Sequence, residues 1–335
     1  MFVKFEKLNS ASRLLIEAEL RPQQGARFQP TGFPDLGAAE YRLPDKTPML
    51  IVESHQSVAN RLEATLWDEK HQNVVALFQG IPYVEVRSAD GEFLTNSLLE
   101  AHRLNSNYIL ESEDKSFYEQ LLKDLKVAPG KPLSFQRFAQ VLAKYDLNCL
   151  LHGVFLAKKE IAGGRYKLPR ALSGFIEAKG VERVLLGGVK KDLIDPQAEA
   201  KEGGGHIPYH RTEYVAERIT AYFNLDLLQI RDYALAEPLP DLLIAMALWK
   251  IHRFLERGLR LRTACDLELV ELRVTQPAGW SLPTLQELEK MVPALIEQAK
   301  PYFADPPVTV VTYVPKKTKL EKDQKQQEQL ELQEA

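Results

Sequence analysis

Ile219-Thr220-Ala221-Tyr222-Phe223-Asn224-Leu225-Asp226-Leu227 alternates apolar and polar residues along its whole length. That period of two predicts a strand with one face buried and one open. C-terminal to it, Pro240 to Glu256 reads as a strong helix stopped by Gly258, and Leu267 to Val274 alternates again. N-terminal to it, Leu14, Ile16, Ala18 and Leu20 alternate with Leu15, Glu17 and Glu19, which predicts a first core strand. From Glu53 to Trp67 the period changes. Val58, Leu62 and Leu66 fall four apart as the apolar floor of a helix, whose polar roof carries Gln56, Ser57 and Asn60. Strand character returns at Cys149 to Leu156. The order strand, helix, strand, strand, helix, strand is the split βαβ arrangement of ferredoxin-like and RNA-recognition folds. The expected fold is therefore α+β, ferredoxin-like βαββαβ with two helices over one face of an antiparallel sheet.

Between these elements the chain predicts a short strand around Tyr83 to Val86, a break at Asp90-Gly91 and two amphipathic helices. Phe117, Leu121 and Leu125 stripe one helix, Phe135, Phe138, Val141 and Leu142 the other, with Pro129-Gly130-Lys131-Pro132 as the turn between them. They form a helical insertion at about 88–148. Thr284 and Glu287 have capping-box spacing for a last helix, and Val308 to Val314 reads as a strand that extends the core. The expectation is one domain over 1–315, followed by a charged tail, 316–335, frayed or disordered.

The 335 residues, 45% hydrophobic and 27% charged, have the composition of a soluble globular protein. No apolar run approaches the roughly 20 residues that span a bilayer, and the N-terminus lacks a secretory pattern, so a cytoplasmic location is expected. Cys149 and Cys265 each sit alone in apolar context and read as buried small hydrophobes. A net charge of -3 does not announce a polyanion binder. The charge is uneven, however: Lys158, Lys159, Arg165, Lys167, Arg170, Lys179, Arg183, Lys190 and Lys191 form a local basic excess.

The chain has no G-x-S-x-G elbow, no H-E-x-x-H and no Walker loop. His206 and His210 are four apart, but Pro208 between them argues against one helical turn and hence against a metal pair. Lys190-Lys191 through His206, Tyr209, His210 and Arg211, interrupted by glycines, predicts a protruding hairpin or loop at about 187–216. Its cations would neutralise phosphates and its rings stack on bases. Glu100-Ala101-His102-Arg103 and Leu259-Arg260-Leu261-Arg262-Thr263 set charge beside apolar residues; either could be a solvated helix end. Asp35, the only acid of the Gly- and Pro-rich loop Gln24 to Gly37, suits a turn, a contact, or acid-base work.

Four stretches carry a resemblance: Gln24-Gly25-Ala26-Arg27-Phe28-Gln29-Pro30-Thr31-Gly32-Phe33-Pro34-Asp35-Leu36-Gly37, Glu53-Ser54-His55-Gln56-Ser57-Val58-Ala59-Asn60-Arg61-Leu62-Glu63, Glu100-Ala101-His102-Arg103 and Leu168-Pro169-Arg170-Ala171-Leu172-Ser173-Gly174. Together the chain resembles the backbone subunit of type I-G (formerly I-U) CRISPR effector complexes, of the RAMP superfamily, from about Arg13 to about Val274.

The resemblance implies a non-catalytic crRNA-binding scaffold with a palm, a helical insertion and a thumb hairpin. Several copies would stack head to tail along the guide beside other effector subunits and display it to target DNA, needing neither cofactor nor metal. It implies RNA contacts at Arg27, Gln29, Ser54, Gln56, Asn60, Arg61, His102, Arg103, Lys167, Arg170, Lys190, Lys191, His206, His210 and Arg211. Two competing expectations follow from the same superfamily: an RNA endonuclease cutting target RNA with Asp35, and a guide-processing nuclease for which His102 is the tempting member.

Overall fold

The computed structural model describes residues 5–315 apart from 34, 129–131, 162, 164–165, 192, 195–196, 198–204 and 258. The alternation at Leu14 to Leu20 becomes β1 (Arg13–Pro22). An edge strand β2 (Glu40–Arg42) and a strand β3 (Pro48–Glu53) follow, and β3 feeds straight into helix α1 (His55–Ala64). Next come β4 (Tyr83–Arg87), β5 (Phe93–Asn96), α2 (Ser116–Leu125), α3 (Phe135–Tyr145) and the single turn α4 (Cys149–His152). Two long strands, β6 (Leu172–Lys190) and β7 (Ile207–Asp226), precede α5 (Leu239–Glu256). The described chain closes with β8 (Arg260–Arg262), β9 (Cys265–Gln276), α6 (Leu285–Ala299) and β10 (Val308–Thr312).

The main sheet is seven-stranded and antiparallel, in the order β8-β9-β1-β7-β6-β3-β2. One face is buried: Leu14, Ile16, Ala18 and Leu20 of β1 lie beside Ile219, Ala221, Phe223 and Leu225 of β7. Helix α1 packs there through Val58, which closes on Gly174 of β6, and α5 through Phe254, whose ring meets Phe223 edge-on at 6.1 Å. Each fully buried aliphatic or aromatic side chain of this layer contributes about 1.5–3 kcal/mol. Helix α5 is buried on nearly every side from Leu242 to Ile251, because α1 and α6 also lean on it. The Thr284/Glu287 capping box starts α6 as its spacing predicts.

Three expectations are corrected. Cys149 to Leu156 is not a strand of the main sheet. Its first half is the buried turn α4, and among the described residues Val154–Leu156 pairs only with Tyr166–Leu168. A continuous buried apolar run does not distinguish helix from strand, and here it is helix. The sheet partner of β7 is instead β6, read as part loop from sequence. Finally, β10 does not extend the main sheet; it runs parallel to β4 in a separate three-stranded sheet, β10-β4-β5. The turn at Pro129-Gly130-Lys131-Pro132 has only Pro132 among the described residues, and Gly258, Gly203, Gly204 and the tail from 316 lie outside them.

β6 and β7 pair in unbroken direction from Leu172↔Leu225 out to Lys190↔Ile207. β3 stops pairing with β6 at Lys179, and β1 stops pairing with β7 at Ile219, so everything beyond projects from the sheet. Gly180, at φ +64°, sits at that exit, a left-handed conformation that a side chain would strain. The projecting arm from Val181 to Lys190 reaches about 30 Å at strand rise. No helix among the described residues is long and apolar enough to cross a membrane.

Candidate nucleic-acid interface

The loop after β1 is tied down at both sides. Phe28, fully buried, exchanges two backbone hydrogen bonds with Tyr214 of β7, each 2.9 Å. The Gln29 amide donates to the Ala264 carbonyl at 2.8 Å, and the Thr31 amide to Val52 at 3.0 Å. Arg262 latches the loop from below, donating to the Gln29 carbonyl at 3.0 Å, the Val52 carbonyl at 3.1 Å and the Glu53 carboxylate. Arg262 thus serves the frame of the loop and is no solvated helix end.

This anchoring brings Arg27 to the root of the arm. Arg27 Nε lies 3.6 Å from Glu213 of β7, and Arg211 donates to the same carboxylate. The two guanidinium groups, about half exposed, flank a nearly buried acid and leave a net positive charge. They line an open cleft of about 700 Å³ with Gln24, Gly25, Asp266 and Glu268. Sequence reading missed Glu213, since nothing in a lone exposed-looking acid announces two cations around it. It missed Glu40 for the same reason. Burial pushes that carboxyl up, but hydrogen bonds from Arg183 (2.8 Å) and Tyr214 outweigh it and hold the acid low. Burial and the Glu40 hydrogen bond push the Tyr214 hydroxyl up to about 12. The clamp fixes the edge strand β2 to the arm.

On α1 the expected polar roof exists. Gln56 Nε2 donates to Asn60 Oδ1 at 2.8 Å, and Arg170 donates to Gln56 Oε1, so three of the expected contacts form one exposed chain. Burial and the nearby Arg103 charge lower the Arg170 pKa. Arg61 is turned away from this group, with its guanidinium on the carbonyls of Arg260 (3.4 Å) and Leu261. Ser54 is the α1 N-cap, its Oγ accepting from the Ser57 amide at 3.3 Å. Ser54→Ala is expected to cost about 1 kcal/mol in urea unfolding, with Ser54→Asp retaining the stability. Equal stability of the alanine variant would remove the capping role.

Arg103 departs most from its expected place. It is buried, and Nε and Nη2 donate to both oxygens of Glu63 of α1 at 2.7 and 2.6 Å. His102 beside it is exposed. Below α1 the network continues: Asn148 Nδ2 donates to Glu63 at 3.2 Å, and Lys250 Nζ of α5 donates to Asn148 Oδ1 and lies 2.9 Å from His152 Nε2. Lys167 is exposed on its short strand, Lys190 and Lys191 at the arm's far end, and His206 and His210 are exposed on its returning side, His210 opposite Gly187. Exposed Leu185, Val189, Ile207 and Tyr209 share that arm. Gln29 is partly buried, with Oε1 left without a partner. Asp35 is exposed in the tight hairpin between Phe33 and Gly37. Among the described residues no group of three His, Cys, Asp or Glu could hold a metal ion, and both cysteines are buried and unpaired.

A curled antiparallel sheet, a projecting basic and aromatic arm, and an open polar cleft beside it that mixes two arginines with three acids define an α+β protein. A family model described as CRISPR-associated protein GSU0053 matches residues 14–183, just over half of the chain, and the chain belongs to that family. No curated protein matches it. Among solved structures, a chain of "CRISPR RNA-guided surveillance complex, pre-nicking" is similar at 15% identity and TM-score 0.41, covering 85% of this chain and 88% of that one. The crystal structure of Thermofilum pendens Csc2 is similar at 11% identity and TM-score 0.32, covering 88% and 79%. Both scores are too low for these likenesses to carry weight.

Proposed function

We propose that this protein is a crRNA-binding backbone subunit of a CRISPR effector complex of the type I-G kind, acting as a scaffold and not as a nuclease. The observation that carries this reading is the β6–β7 arm. Arg27 and Arg211 meet on Glu213 partway along it, and its outer half carries Lys190, Lys191, His206, Tyr209 and His210. Membership in a CRISPR-associated family supports it. Within the sheet, the order β9-β1-β7-β6 with α1 and α5 on one face supports an RNA-recognition-like palm, with the arm as its thumb. A net charge of -3 is no objection. Copies stacked head to tail divide the phosphate neutralisation, and such heterologous contacts generate helical filaments.

In this reading Gln56, Asn60 and Arg170 hold guide backbone on the palm, and the arm crosses to a neighbouring copy. Target DNA meets the guide, and the sequence is read by base pairing. The test is periodic protection of the guide in a nuclease footprint of protein assembled on crRNA. Absence of RNA affinity at low salt, both alone and assembled, would end the reading. The Asp35 endonuclease reading has its own measurement. Asp35→Ala is expected to bind crRNA as the parent does, and the assembled parent to leave guide-complementary RNA uncut in magnesium. Cleavage by the parent that Asp35→Ala abolishes would overturn the scaffold role.

A further inference from the structure

The sheet face opposite α1 and α5 has been given no function. It carries a row of three rings. His55, the first residue of α1, stacks on Phe175 of β6 at 4.6 Å and 29°, and Phe175 stacks on Tyr222 of β7 at 5.1 Å and 22°. The register sets two of these rings side by side, because Phe175↔Tyr222 and Ser173↔Asn224 are cross-strand neighbours, and the start of α1 adds the third. All three rings are at least partly exposed. Over them lies a cavity of about 250 Å³, lined by His55, Phe175, Tyr222, Asn224, Leu15 and Glu17 among others.

Two features say what would fill it. A row of parallel rings is extended best by another flat ring, which gains stacking without needing a particular sequence. Asn224 lines the cavity, and its side-chain oxygen is buried without a hydrogen-bond partner. A buried acceptor left alone calls for a donor. The face also sets a limit. Glu17 and Glu19 of β1 and Glu177 of β6 stand on it, Glu17 paired with Arg273 at 2.5 Å and Glu19 with Arg218 at 3.5 Å. Arg273 and Arg218 are engaged by these acids, so the face holds a ring better than a phosphate. The ligand is thus flat and amine-bearing.

We propose that this face is a slot for one unpaired nucleobase, stacked on the His55–Phe175–Tyr222 row and donating an exocyclic amine to Asn224, with its phosphates outside. Adenine fits best, since the amide of an asparagine side chain matches its amine and adjacent ring nitrogen together. The slot rests on the RNA-binding reading above and adds to it a base contact at a place separate from the arm and the cleft.

The experiment uses the full chain and a short oligoadenylate carrying 8-azidoadenosine, with photo-adducts located by mass spectrometry, and oligoadenylate affinity measured for variants. Adducts are expected on Tyr222 or His55. Tyr222→Leu and Asn224→Ala are each expected to weaken oligoadenylate binding about tenfold, while Tyr222→Phe keeps it. Thermal melting of each variant separates a lost slot from a lost fold, and the photo-adduct map of the parent needs no variant at all. RNA binding by the parent with adducts only elsewhere and unchanged affinity in Tyr222→Leu would overturn the slot alone. No RNA binding by the parent, alone or assembled, would overturn the reading on which it rests. Oligouridylate bound as tightly as oligoadenylate, with Asn224→Ala unchanged, would overturn the amine contact and with it the proposal.

Discussion

Arg103→Ala is expected to destabilise the protein by about 3–5 kcal/mol, the usual cost of removing one partner of a buried ion pair. Arg103 and Glu63 are each only 8% exposed, and both guanidinium contacts are short. Burial alone would lower the arginine pKa, but the Glu63 hydrogen bond and charge more than reverse it. Removing the cation leaves a carboxylate in the interior with only the 3.2 Å contact from Asn148. Denaturant unfolding midpoints at pH 7 measure the loss. The double variant Glu63→Leu with Arg103→Met is expected to lose much less, because neither charge is then stranded. A loss below about 1 kcal/mol in Arg103→Ala would show that the pair is hydrated and the network under α1 is not what holds that helix.

How far the fold was legible follows from where its strands face. β1, the inner half of β7 and β9 show plain alternation because one face of each is buried and the other open. Beyond buried Glu213 and Tyr214 the arm has solvent on both faces, so Leu185 to Lys190 and Ile207 to Arg211 carry no such signal. β6 hid for a further reason. Its core-facing position 174 is a glycine, and a Cβ there would stand 2.9 Å from Phe223 and 3.1 Å from Val58. Close approach of α1 to the sheet required the small residue that made the strand read as a loop. At Cys149 to His152 the opposite held: burial on all sides erased the period, and a helical turn read as a strand.

The site was legible where function follows from local chemistry and opaque where it follows from a distant partner. Gln56 and Asn60, one helical turn apart, do form a polar roof, and Arg27 does stand beside the arm. Arg103 sits next to exposed His102 in sequence, yet its partner Glu63 is 40 residues away. Nothing in Glu100-Ala101-His102-Arg103 distinguishes a guide contact from a buried latch. Arg262 carries the same lesson, since its acceptors on Gln29 and Val52 are more than 200 residues distant. Phe175 and Tyr222 became a ring row only through the β6–β7 register, which sequence alone did not supply.

Lys250→Met is expected to flatten the pH dependence of stability above neutrality. Lys250 is fully buried on α5, and burial pulls its pKa down to about 7, only partly offset by the Glu63 and Asp146 charges. An unfolded lysine keeps its proton to about pH 10. Between these values the unfolded chain binds the extra proton, so stability rises with pH, by about 1.4 kcal/mol per pH unit. Below pH 7 both states are protonated, and the full cost of burying the ammonium is present. The parent should therefore gain about 2 kcal/mol from pH 7 to pH 9 that Lys250→Met lacks. The other groups around it add slopes that parent and variant share. Burial and the Lys250 charge hold His152 well below its usual range, so it loses stability only as pH falls below about 6.5. Burial and the Asp146 charge push the Cys149 thiol well up. The unfolded thiol ionises near about pH 8.5, so rising pH takes stability from parent and variant alike there. Urea unfolding of parent and variant at pH 7, 8 and 9 reads the difference directly. Parallel slopes would mean that water reaches Nζ and that the Asn148 and His152 contacts hold an ordinary ammonium.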